Sequence, residues 1–155
     1  MQRKRVLFVC IGNAIRSQFA EAFARLYGSD VIEAVSAGLF PAPSLAPFTV
    51  EVLNEKSIPV GEAFPKSIPE AMTAPVDLIV NLSGERLPKM LAPLILDWTV
   101  PDPMGQKIDA YRTAAARIES LVMQLVLDLR AGRILAKAER SASEPPSSAP
   151  PAGSA

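Results

Sequence analysis

The chain has 155 residues and no histidine at all, which removes every Cys-His hydrolase pair and every histidine metal site. It has one cysteine, Cys10, so a cysteine zinc site and an intramolecular disulfide are excluded as well. Formal charge is zero, from 16 basic and 16 acidic residues, and leaves no electrostatic footprint for nucleic acid or a membrane surface. No apolar run reaches the length of a membrane span. The opening Met1-Gln2-Arg3-Lys4-Arg5 leads directly into a strand-like run instead of a signal-peptide core. Its three basic residues could form a polybasic anchor or solvate the start of an apolar strand. A single thiol fits a reducing cytoplasm.

What is present concentrates around that thiol. Residues 6–10 form a short apolar run rich in β-branched and aromatic side chains, the pattern of a buried strand. Downstream, Phe19, Ala20, Phe23, Ala24 and Tyr27 recur at helical spacing. Between them lie Ile11, Gly12, Asn13, Ala14, Ile15, Arg16 and Ser17. A strand, a tight turn and a helix start bring backbone N–H groups together where an anion is favoured. Those dipoles and a guanidinium would favour the thiolate of Cys10, the nucleophilic form. Arg16 offers a planar fork that can hold two oxygens of a tetrahedral oxyanion. Ser17 can place a hydroxyl on the sulfur, and Gly12 and Asn13 tolerate the left-handed backbone that such a loop usually needs. A lone cysteine after a strand is ordinarily a small buried hydrophobe; here the arginine and serine at fixed offsets favour the chemical reading.

The run from Val9 through Ser17 resembles the phosphate loop of the low-molecular-weight protein tyrosine phosphatases and of the arsenate reductases that share their fold. Ser36-Ala37-Gly38 and the late Asp102-Pro103 are similar to further segments of that family, and the resemblance spans about residues 5–131. It implies that Cys10 attacks phosphorus and forms a cysteinyl-phosphate. Arg16 and the amides of Ile11, Gly12, Asn13, Ala14 and Ile15 would hold the oxygens, Ser17 would steady the sulfur, and Asp102 would act as general acid and then base. An Asp-Pro pair alone is a common turn signal; the place of Asp102 after the last predicted strand, at a sheet end that can face the first, gives it the acid role over Asp97.

Departures from the family pattern narrow the chemistry. Ile15 stands where many of the phosphatases carry a second loop cysteine, so that protective disulfide is absent. The two resolving cysteines of thioredoxin-coupled arsenate reductases are also missing, around a segment that here reads Leu82-Ser83-Gly84-Glu85-Arg86-Leu87-Pro88-Lys89. Arsenate chemistry would need an external thiol. The acid is followed by Met104-Gly105 instead of the family's aromatic wall; Phe40 and Trp98 could supply one or be plain core. The expected partner is a phosphotyrosine protein or small aryl phosphate, or else arsenate with an external thiol, with no cofactor or metal. A catalytically weak oxyanion-binding protein is the third reading.

Alternating elements give an α/β fold. Strands are predicted over 6–10, 31–36, 76–81 and 94–98. Helices are predicted over 17–28, from Ser44 or Ala46-Pro47 onward, as a short turn near 69–72, and over 109–130 with Ala115, Ile118, Leu121, Val122, Leu125 and Leu129 on one face. The Ala37-Gly38 pair reads as a turn. The resemblance implies a three-layer, doubly wound, four-stranded parallel sheet in the order 2-1-3-4. The domain is expected over 1–138, followed by a disordered Pro/Ser/Ala-rich tail over 139–155, an inert end or a docking segment for a proline-recognising partner. Ser83-Gly84-Glu85-Arg86 could rim the cleft or be ordinary surface loop, and Tyr111 and Arg112 would cover the cleft edge.

Overall fold

A computed structural model describes residues 2–134. The expected boundary near 138 and the tail beyond it lie outside the described residues. Four strands, β1 (Lys4–Cys10), β2 (Ile32–Gly38), β3 (Leu78–Asn81) and β4 (Ile95–Asp97), form one parallel sheet in the order β2-β1-β3-β4. Among the described residues four helices connect or cover them: α1 (Arg16–Gly28), α2 (Pro47–Glu55), α3 (Ile68–Ala71) and α4 (Ile108–Arg130). A 3-10 turn over Lys89–Leu91, unforeseen in the sequence, precedes β4.

The period-2 alternation of β1 sorts its side chains between two cores. Val6, Phe8 and Cys10 join Phe19, Phe23, Ile118 and Val122 beneath α1 and α4. Leu7 and Val9 join Ala37, Ala71 and Ile79 on the opposite face, beside α3. Burial on both faces explains why β1 reads as a continuous apolar run. The expected stripe on α4 is the one that packs inward: Ala115, Ile118, Val122, Leu125 and Leu129 are buried and Leu121 is half-buried against the same core. Helix α2 opens at Pro47, where a missing N–H costs nothing. Helix α3 opens with a capping box in which Ser67 and Glu70 exchange side-chain and backbone hydrogen bonds.

β1 begins at Lys4, two residues before the expected start, and the boundaries of β2, β3 and β4 differ for local reasons. β2 does not stop at Ser36: Ala37 and Gly38 pair with Val9 and Cys10, so the second strand runs beside the thiol. β3 begins at Leu78, because Asp77 takes the Arg5 N–H with its carboxylate (2.8 Å) and so ends the ladder with a side chain. β4 is limited to three residues, although its neighbours stay tied: Leu94 accepts from the Ile79 N–H and Trp98 donates to Asn81. No described helix is long and apolar enough to cross a membrane.

Candidate active site

Every carbonyl from Cys10 to Ile15 is engaged. The carbonyl of Cys10 accepts from Leu39 N, that of Ile11 from Phe40 N (2.8 Å) and that of Gly12 from Ala42 N (2.9 Å). Asn13 accepts from the Gln18 side-chain amide (3.0 Å). Ala14 accepts from Ala46 N and, at 2.8 Å, from the hydroxyl of the fully buried Thr49. Ile15 accepts from Phe19 N. None of the N–H groups from Ile11 to Ile15 donates to an acceptor among the described residues. A loop whose carbonyls are spent and whose amides are left over is a cradle for an anion at a helix start.

Asn13 organises the buried side of this loop. It adopts φ 53°, the left-handed conformation the sequence reading assigned to Gly12 and Asn13 together. Gly12 does not share it, and a Cβ there would meet only ordinary contacts, the nearest being Ala42 Cβ at 3.6 Å. The glycine the loop depends on is Gly38. A Cβ at Gly38 would lie 2.7 Å from Ile11 O and 2.8 Å from Asn13 N and Gly12 C, all backbone atoms. The Asn13 amide oxygen accepts from Lys66 N (3.0 Å), which fixes the orientation of the group. Its nitrogen then donates to Ser17 Oγ (2.7 Å) and Ser36 Oγ (3.0 Å).

Cys10 is buried, with 2% of its surface exposed, but its sulfur does not sit in hydrocarbon alone. Ser17 Oγ lies 2.9 Å from Sγ and Ser17 N lies 3.5 Å away. Since Ser17 already accepts from Asn13, its own hydrogen is free to point at the sulfur, the direction that stabilises a thiolate.

Arg16 is also buried and stretches across the sheet end. Its Nη1 donates to Leu82 O (2.6 Å) and Val100 O (3.1 Å), tying it to the segments that follow β3 and β4. Its Nη2 lies 3.4 Å from Asp102 Oδ2. Leu82 is itself held by its N–H on Val9 O at 2.7 Å. Asp102 is about one-third exposed, and its other oxygen accepts from Met104 N (3.1 Å), an Asx-type turn that fixes the carboxylate at the rim. Tyr111, packed edge-on against Phe48 at 5.3 Å, is held protonated by burial and by the charge of Asp102.

The remaining sequence candidates separate clearly. Asp97 accepts from the Asn81 amide (3.0 Å) and belongs to the strand end. Of the two residues expected at the cleft edge, Tyr111 lies in the field of Asp102, and Arg112 pairs with Glu55 (2.6 Å) and Asp109 (2.7 Å). Trp98 is half-buried against Phe8, whereas Phe40 is 76% exposed beside the loop and Met104 is exposed beside Asp102. Ser83 is buried under Asn81, and Gly84, Glu85 and Arg86 are exposed. Gln18, Thr49, Leu82 and Val100 support the loop and its arginine without having stood out in the sequence. A polar residue at a buried helical position, as Gln18 and Thr49 are, was the available signal.

Residues 5–137 match the family of the low molecular weight phosphotyrosine protein phosphatases. Among sequence relatives, a glutaredoxin arsenate reductase of Synechocystis is 29% identical over 127 residues, covering 79% of this chain and 96% of that one. Among solved structures, an arsenate reductase in the phosphate binding state superposes with a TM-score of 0.75 at 28% identity, covering 81% of this chain and 98% of that one. The YwlE arginine phosphatase of Geobacillus stearothermophilus superposes with a TM-score of 0.73 at 26% identity, covering 84% and 96%.

Proposed function

Because the chain belongs to the low molecular weight phosphotyrosine protein phosphatase family, we propose that it hydrolyses phosphomonoesters, with a phosphotyrosine protein or a small aryl phosphate as substrate. The observation that carries this reading is the loop with every carbonyl engaged and its five amides left over around a serine-bound sulfur. In the first step Cys10 Sγ attacks phosphorus, the S–P bond forms, and the bond to the leaving oxygen breaks. Asp102 gives its proton to that oxygen. The loop amides and the second nitrogen of Arg16 hold the equatorial oxygens, so charge in the transition state meets donors already in place. In the second step water attacks phosphorus, Asp102 takes its proton, and the S–P bond breaks to return the thiolate. The 3.4 Å approach of Asp102 to Arg16 supports its assignment to the same cradle. Exposed Phe40 and Met104 offer apolar surface to an aryl group.

A second reading has its own support. Both the Synechocystis relative and one of the structural neighbours are arsenate reductases, and the same cradle would accept arsenate in place of phosphate. With Cys10 the single cysteine, an external thiol must attack the cysteine adduct, forming a mixed disulfide as arsenic is reduced.

The experiment is a side-by-side assay of an aryl phosphate and arsenate, each with and without a small thiol. Thiol-independent release of the phenol, lost in Cys10→Ser, supports the phosphatase. Absence of that turnover together with thiol-dependent consumption of arsenate assigns the chain to the second reading.

A further inference from the structure

Along one face of α1 lies a pocket of about 240 Å³ lined by none of the residues of the proposed chemistry. One wall is a single face of α1 carrying Gln18, Glu21, Ala22, Arg25 and Leu26, and the other comes from Leu45, Leu53 and the 58–63 segment. The lining is mostly aliphatic, yet two polar side chains are buried in it: Gln18 is 3% exposed and Glu21 6%. Gln18 spends both hydrogens on backbone carbonyls, Asn13 O at 3.0 Å and Phe64 O at 3.4 Å, and its amide oxygen accepts from no described residue. Glu21 has one partner among the described residues, a 3.3 Å contact from its Oε2 to Arg25, whose side chain is 62% exposed. Neither oxygen of Glu21 is sealed from solvent, so the carboxylate remains open to a further donor.

We propose that this pocket is a binding site for a small organic amine, a compact apolar body bearing one ammonium head. The body would replace water against Ala22, Leu53 and Val60, and the head would donate to Glu21 and the Gln18 oxygen. The volume lies below the roughly 300–1,000 Å³ of drug-sized sites, so the occupant is a single ring or short chain. An anion is disfavoured by Glu21, and a neutral alcohol would bring one uncharged donor to two acceptors where an ammonium brings three charged ones. Gln18 links the site to the loop through Asn13, which in turn holds Ser17 beside Cys10.

The test titrates benzylamine, with benzyl alcohol and benzoate as neutral and anionic comparisons, into the isotopically labelled full chain and follows amide resonances. Benzylamine is expected to give saturable shifts at Gln18, Ala22, Leu53 and Ala63, with smaller ones at Asn13. Glu21→Gln is expected to weaken it by about tenfold or more, the worth of a charge-assisted hydrogen bond. Arg25→Ala, at an exposed position that does not threaten the fold, is expected to tighten it by removing the competing guanidinium. Equal affinity for benzyl alcohol, no saturable shift, or weaker binding in Arg25→Ala would overturn the proposal. The readout is binding alone, so it stands or falls independently of whether aryl phosphate is turned over.

Discussion

Gly38→Ala adds one carbon where β2 passes under the nucleophile loop. The added Cβ would fall 2.7–2.8 Å from three backbone atoms of Ile11, Gly12 and Asn13, none of which can rotate away. Reaching an ordinary contact distance requires the loop to move by roughly 0.6 Å, and overpacking of this kind costs about 1–3 kcal/mol. For a domain of this size that lowers Tm by roughly 3–10 °C. The same shift displaces the loop amides from the oxyanion. Since a 1 Å misplacement can cost about a hundredfold, kcat/KM for an aryl phosphate is expected to fall by about tenfold or more. Gly28→Ala is the matched control. Its Cβ would lie 2.5 Å from Val126 Cγ2, at the other end of α1 from the nucleophile loop. That variant is expected to lose stability while keeping kcat/KM. Both are measured by thermal melts and by initial rates at a temperature where each is folded. Wild-type kcat/KM in Gly38→Ala, or an equal loss in Gly28→Ala, would refute the claim that β2 sets the loop position.

Ser17→Ala removes the hydroxyl 2.9 Å from the sulfur and is expected to lower kcat by about 10–100-fold, as the loss of a hydrogen bond to a charged group does, with slower alkylation of Cys10 at neutral pH. Asp102→Asn is expected to lower kcat by about 10²–10⁴-fold for a poor leaving group and far less for an activated phenol; equal losses would remove Asp102 from the acid role. Acid stability should reflect the exposed ion pairs. The Arg112 guanidinium holds the Glu55 carboxyl below its ordinary 4.5, so the stability from this pair is complete above that value and is lost as pH falls through the lower, folded-state value. Glu55→Gln should therefore show a shallower decline of Tm below about pH 4.5; an unchanged slope counts against the linkage.

Much of the framework was legible because it is written in local patterns. The apolar run of β1, the stripe of α4 and the proline at the start of α2 each dictate one element by period or by backbone constraint. The nucleophile loop was legible because Cys10, Arg16 and Ser17 lie within eight residues. What was not legible depends on distant contacts. Ala37-Gly38 reads as a turn from its small residues, but their smallness serves to bring β2 close against the loop. Between Gly12 and Asn13, only the tertiary contacts of Asn13 with Ser17, Ser36 and Lys66 decide which takes the left-handed conformation. The anchoring of Arg16 on Leu82 and Val100 spans 66 and 84 residues and uses carbonyls, which every residue type carries. Trp98 and Phe40 likewise differ in burial for reasons no short window contains.

The central claim is that the Cys10 sulfur is the atom that takes the phosphoryl group. The direct measurement is acid quench during steady turnover of an aryl phosphate, followed by peptide mass analysis. A phosphoryl adduct is expected on the peptide containing Cys10, more abundant in Asp102→Asn with an activated phenol, where hydrolysis of the adduct is slowed, and absent in Cys10→Ala. Sustained turnover with no adduct at that sulfur, or turnover that survives Cys10→Ala, would contradict it.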